Sequence, residues 1–135
     1  RRDGTGHTVY YPMIGDPELK VAKLYDMLPA DAGDTSEGRT PAHNATVRTV
    51  FLIGPDKRIK LTLSYPMSTG RNFDEIVRVL DSIQLTTKHK VSTPANWKQG
   101  EDVIIGGAVT NEEADKLFPG YKTVKPYLRT AAQPK

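Results

Sequence analysis

The chain contains no cysteine. This excludes a disulfide, a thiolate metal site and a cysteine nucleophile among its own residues. It also fits a cytoplasmic protein, because cysteine-stapled scaffolds belong to oxidising compartments. No run of 18 apolar residues occurs, so no transmembrane helix and no membrane partner are expected. Nor does a signal-peptide pattern open the sequence. The three histidines, His7, His43 and His89, stand far apart in loop-like settings. No two of them have ligand spacing, so no metal is expected, and no cofactor is expected either. The formal net charge is only +3, and its cations are scattered rather than blocked, which argues against nucleic-acid binding. An initiator methionine is also missing, so a fragment of a longer polypeptide is the expectation.

What remains is an ordinary globular composition, 37% hydrophobic and 26% charged over 135 residues. That size suits one domain, or one domain with a small appendage. The most apolar stretch is Val47-Arg-Thr-Val-Phe-Leu-Ile-Gly-Pro-Asp-Lys57. Val47 to Ile53 reads as a strand apolar on both faces, hence a central one. Gly54-Pro55-Asp56-Lys57 is a turn. Arg58 to Tyr65 alternates, with Ile59, Leu61, Leu63 and Tyr65 on one face, and reads as the returning strand of a hairpin. Arg48 shares a face with Val50 and Leu52. A buried cation there requires an anion, so Arg48 is either half of a structural ion pair, a snorkelling strand-end arginine, or the cation of a site. Arg71, at the start of the next helix, favours the last reading, because two arginines at neighbouring element ends would make a cationic pocket.

In chain order, residues 1–8 are polar, Gly-rich and expected to fray. Thr8 to Ile14 reads as a short strand with Pro12 near its end. Asp16-Pro17 provides an N-cap and a first-turn proline for a helix from Pro17 to about Leu28, with Leu19, Ala22, Leu24, Tyr25 and Leu28 facing inward. Pro29 to Asn44 is a long loop. Asn72 and Glu75 have capping-box spacing ahead of a helix to about Leu85, whose apolar face is Phe73, Ile76, Val77, Leu80 and Ile83. Glu75 and Arg78 can pair at i, i+3. Thr86 to Gly100 reads as a linker containing Trp97, which either anchors an appendage or is buried within one chain. Asp102 to Gly106 is a strand. Thr110 and Glu113 form a second capping box, and the short helix carrying Ala114, Leu117 and Phe118 stops at Pro119-Gly120. Tyr127 to Arg129 reads as a last strand.

The order β-α-loop-β-β-α is that of the second half of a thioredoxin-like α/β arrangement, followed by a small α/β tail. The runs Ala45 to Asp56, Leu63 to Glu75 and Leu117-Phe-Pro-Gly-Tyr121, with Tyr127-Leu-Arg129 and the linker Thr93-Pro-Ala-Asn-Trp97, resemble the one-cysteine peroxiredoxins over roughly residues 9–134. The resemblance implies a fold that is the C-terminal half of a thioredoxin-like peroxiredoxin core (1–92) plus a C-terminal dimerisation domain (93–135). It implies a thiol-dependent peroxidase acting on hydrogen peroxide and organic hydroperoxides, with an external thiol reductant. The arginine matching Arg48 would lower the thiolate pKa and bind the peroxide, and the one matching Arg71 would orient that arrangement. The peroxidatic cysteine of the family sits in a Pro-x-x-x-Thr-x-x-Cys motif, which this chain lacks. Some members also have a phospholipase activity assigned to a Ser-His-Asp set. Asp56 matches its aspartate, but a turn residue after Pro55 is the preferred reading and no lipase site is drawn. The family implies a homodimer through an edge strand, here 59–65, with the C-terminal domain folded over the partner. The rival reading is a non-catalytic dimerisation or binding module that kept the fold.

The absence of a thiol gives a direct expectation. This chain by itself should not turn over peroxide, because no side chain can act as the thiolate nucleophile. A peroxide-consumption assay with added thiol checks it, and turnover well above the buffer blank from metal-free protein would overturn it.

Overall fold

The computed structural model describes residue 6 and residues 8–29, 31–43 and 46–135. His7, most of the start expected to fray, the end of the loop at Asn44, and Ala45 lie outside the described residues. The chain divides into two compact units, one of residues 1–50 and 63–70, the other of residues 51–62 and 71–135.

In the first unit the expected strand over residues 8–14 does not form; only Thr8 makes a bridge. Tyr10 and Ile14 are 92% and 75% exposed. The Pro12 nitrogen carries no proton for a ladder, and among the described residues no strand pairs with residues 9–14. The expected helix is also shorter. α1 spans Lys20–Leu24, not Pro17 to Leu28. Leu19 has a φ of 55°, a left-handed value that breaks a helix begun at Pro17. Asp16 still caps it from a distance, its carboxylate accepting the Val21 and Ala22 amides at 3.0 and 2.8 Å. The Ala22 amide, then that of Val21, holds this carboxyl below its ordinary pKa. Leu19 is buried, whereas Leu24, expected inside, is 79% exposed. The following loop is tied back by Lys23 on Asp34 at 2.5 Å and by the Ser36 amide on the Pro17 carbonyl at 2.9 Å.

β1 (Arg48–Ile53) and β2 (Ile59–Tyr65) form the expected hairpin as a two-stranded sheet. Thr49 Oγ1 and Ser64 Oγ share a hydrogen bond of 3.0 Å at its base. At its tip the Gly54 amide donates to Arg58 O, and Asp56 accepts from Lys60 Nζ at 2.7 Å and from the Arg58 amide at 3.2 Å. Asp56 is therefore a turn residue in an ion pair. The central position expected for β1 is not realised. Among the described residues it pairs with β2 alone, and Ile53 is half exposed.

The second unit owns the core. α2 spans Phe73–Lys88, and Asn72 caps it by accepting the Glu75 amide at 3.2 Å. The reciprocal half of the capping box is replaced, because the Glu75 carboxylate takes a bidentate bond from Arg78 at 2.5 and 2.8 Å. The stretch read as a linker holds the last turn of α2 and a strand, β3 (Val91–Ser92), which pairs antiparallel with β4 (Val103–Ile105). α3 (Asn111–Leu117) follows, capped by Thr110 accepting the Glu113 amide at 3.2 Å. β5 (Lys122–Lys125) and β6 (Leu128–Ala131) complete a four-stranded antiparallel sheet in the order β3-β4-β6-β5. Leu85, Val91, Trp97, Val103, Ile105, Val109, Ala114, Phe118 and Ala131 form the buried cluster. Leu117, expected beside Phe118, is half exposed.

Trp97 is 1% exposed, and its Nε1 donates to the Glu101 carbonyl at 3.1 Å. Its own chain therefore buries it. α2 behaves differently at its other end. Phe73, Val77 and Leu80, expected to face inward, are 69%, 54% and 40% exposed. The core gathers around the C-terminal turn of α2, and the apolar side chains of its first turns stay exposed.

Trp97→Ala should remove the largest core side chain and cost about 3–5 kcal/mol. Denaturant unfolding followed by circular dichroism checks this, and a loss below about 1 kcal/mol would show that the unit does not depend on the indole.

Candidate functional site

Arg48 opens β1, and its side chain is exposed rather than buried. Exposure removes the expected need for a neutralising anion. Its Nε donates to the Met67 carbonyl at 2.7 Å. Met67 sits in the turn after β2, closed by the Thr69 amide on the Pro66 carbonyl at 2.9 Å. One backbone contact therefore orients the guanidinium across the base of the hairpin. No carboxylate among the described residues pairs with Arg48, so the ion-pair reading finds no partner. The N–H bonds on its two terminal nitrogens have no acceptor among the described residues.

Arg71 belongs to the second unit, one residue before the Asn72 cap of α2. It too is exposed, without a hydrogen bond or ion pair among the described residues. The helix start beside it presents amide protons and the positive end of the helix dipole, which add to its preference for an anion. Each arginine can donate a planar fork of charge-assisted hydrogen bonds to an oxygen that gains negative charge.

Two features of the second unit were not read from the sequence. One is a groove of about 480 Å³ lined by Leu52, Ile53, Pro55, Leu80 and Ile83, with Lys60 and Lys88 at its edge. The Phe73-to-Ile83 periodicity announced an apolar face but not that it would lie open. The other is Arg129, 8% exposed, which donates to Asn111 Oδ1 at 2.9 Å and to the carbonyls of Val109 and Gly106 at 2.5 and 3.5 Å. It is a structural clasp on the loop entering α3. No local pattern marks it, because its acceptors are neutral groups 18 to 23 residues away.

Comparison with known proteins gives this geometry a class. The C-terminal domain of 1-Cys peroxiredoxin matches residues 82–120, from the second half of α2 through α3. The chain is 50% identical over 127 residues to a 1-Cys peroxiredoxin of Dictyostelium discoideum, covering 93% of this chain and 49% of that protein. Its fold superposes on a yeast mitochondrial 1-Cys peroxiredoxin with a TM-score of 0.79 at 43% identity, over 92% of this chain and 57% of the other. A cysteine-to-serine mutant of the peroxiredoxin 6 of Arenicola marina gives 0.77 at 42% identity, over 93% and 57%. The chain spans about half the length of the relatives it matches. These are peroxiredoxins, a class of thiol peroxidases. The chain belongs to the one-cysteine peroxiredoxin family and carries its C-terminal domain, with no cysteine of its own.

Proposed function

We propose that this chain is the arginine-bearing portion of a thiol-dependent peroxidase that reduces hydrogen peroxide and organic hydroperoxides, the nucleophilic cysteine being supplied by residues outside it. The observation that carries the reading is 42–50% identity to one-cysteine peroxiredoxins across more than nine-tenths of the chain. The terminal guanidinium nitrogens of Arg48, without an acceptor among the described residues, support it. In this role Arg48 favours the thiolate over the thiol and donates to the peroxide as the O–O bond polarises. Arg71, at the start of α2, orients that arrangement. The yeast neighbour is described with glutathione and thioredoxin systems, which supports an external thiol as reductant here. We assign residues 1–92 to the partial core and 93–135 to a dimerisation domain, and place the protein in the cytoplasm, with cell fractionation as the check.

The second reading, a non-catalytic dimerisation module, draws on the cysteine-free sequence and on a second unit with a buried core of its own. The coding sequence upstream separates the two. An in-frame Pro-x-x-x-Thr-x-x-Cys within roughly a hundred residues, one domain's length, belongs to the peroxidase, and a start codon directly before Arg1 belongs to the module.

In the longer, cysteine-bearing polypeptide, Arg48→Met should raise the cysteine pKa and slow its reaction with peroxide by about 10²-fold, the scale for losing a donor at a developing oxyanion, with little change in melting temperature. A lowered melting temperature with an unchanged rate would instead make Arg48 purely structural. For assembly, the outer edge of β2 is unpaired among the described residues, and pairing there across a two-fold axis would satisfy it. We expect a dimer through residues 59–65 and the C-terminal domain, with order lost on dissociation. Sedimentation across a dilution series beside circular dichroism measures this, and a fully helical monomer at the lowest concentration would refute it.

A further inference from the structure

We infer that Met67 is a peroxide-oxidation site directed by Arg48; this rests on the reading of Arg48 as a peroxide-binding group. Arg48 Nε is bonded to the Met67 carbonyl at 2.7 Å, so the residue that orients the guanidinium also carries a thioether. Met67 is 51% exposed, and its unbranched side chain has three rotatable bonds with which to approach a peroxide held on the free guanidinium nitrogens. Met67 and Arg48 lie in the same unit.

The chemistry balances without a further reactant. A sulfur lone pair attacks one peroxide oxygen, the S–O bond forms and the O–O bond breaks. The departing oxygen takes the proton of the transferred hydroxyl and leaves as water. Sulfur is oxidised to the sulfoxide and the peroxide is reduced. The guanidinium donates to the departing oxygen as negative charge gathers on it, which lowers the barrier. The sulfoxide oxygen is then a new acceptor on the residue that Arg48 already holds, and it competes with the next peroxide for the same donors.

The protein contains its own control. Met13 lies in the same unit and is also 51% exposed, but no arginine is hydrogen-bonded to it among the described residues. Exposure alone would oxidise the two at equal rates. Treating the chain with hydrogen peroxide and following each methionine by peptide mass spectrometry gives the ratio. We expect Met67 to react about three- to tenfold faster than Met13, less than the 10²–10³ of an enclosed oxyanion hole because solvent screens an exposed cation. Arg48→Gln should bring the ratio to about one, and so should denaturant on the unchanged protein. Equal rates in the native chain would overturn the inference, as would a raised ratio that survives in Arg48→Gln or in denaturant. If equal rates were found while Arg48→Met still slowed the cysteine of the longer polypeptide, the methionine assignment alone would fail. A raised ratio beside an unaffected cysteine would remove the peroxidase role of Arg48 and keep the assignment.

Discussion

The burial of Trp97 is the interaction on which the second unit of this chain depends. The indole is the largest fully buried side chain, and it can be buried because its one polar atom finds the Glu101 carbonyl. An unbonded indole N–H inside the core would offset much of the gain from burying the ring. The turn that supplies the carbonyl is itself held, by the Lys98 amide on the Glu101 carboxylate at 2.9 Å and the Gly100 amide on Gln133 at 2.5 Å. Through Gln133 the end of the chain closes over the same turn. Leu85 at the end of α2, Val91 in β3 and Val103 in β4 join the same cluster.

The two sheets meet their backbone and surface needs in different ways. The four-stranded sheet protects both its edges: β3 has only two residues, and β5 carries Lys122 and Lys125 with an irregular register between Thr123 and Lys125. Short, charged and irregular edges resist further pairing. The β1–β2 hairpin carries Lys60 on β2 but remains two-stranded and half exposed, and two strands alone are marginal in water. The open first turns of α2 share this incompleteness. A family whose members are about twice as long has residues with which to cover both.

Arg48 and Arg71 are exposed cations at element ends, and neither pairs with an anion among the described residues. A guanidinium stabilises a thiolate or a polarised peroxide but cannot replace the nucleophile. Under the proposed function, what the chain provides is electrostatic support, and that support acts only when a thiol is brought to it.

The sequence by itself determined the features set by short-range chemistry. The Gly54-Pro55-Asp56-Lys57 turn sets the hairpin, and the Asn72 and Thr110 spacings announce two helix starts, because a cap needs only a side-chain oxygen three residues from an amide. The family was legible too, since the motifs around Arg48, Arg71 and Trp97 occur in order. Tertiary structure decided what depends on distant partners. It gave the Glu113 carboxylate its ion-pair partner, Lys90, from 23 residues away. Among the described residues it gave residues 9–14 no strand to pair with, and left-handed backbone at Leu19 shortened α1. It made strands of Val91–Ser92 and Lys122–Lys125, which are too short or too exposed to show a period. It put Trp97 inside its own chain and left Phe73 outside. Burial is a property of what packs on a face, and a periodic pattern shows only that a face exists.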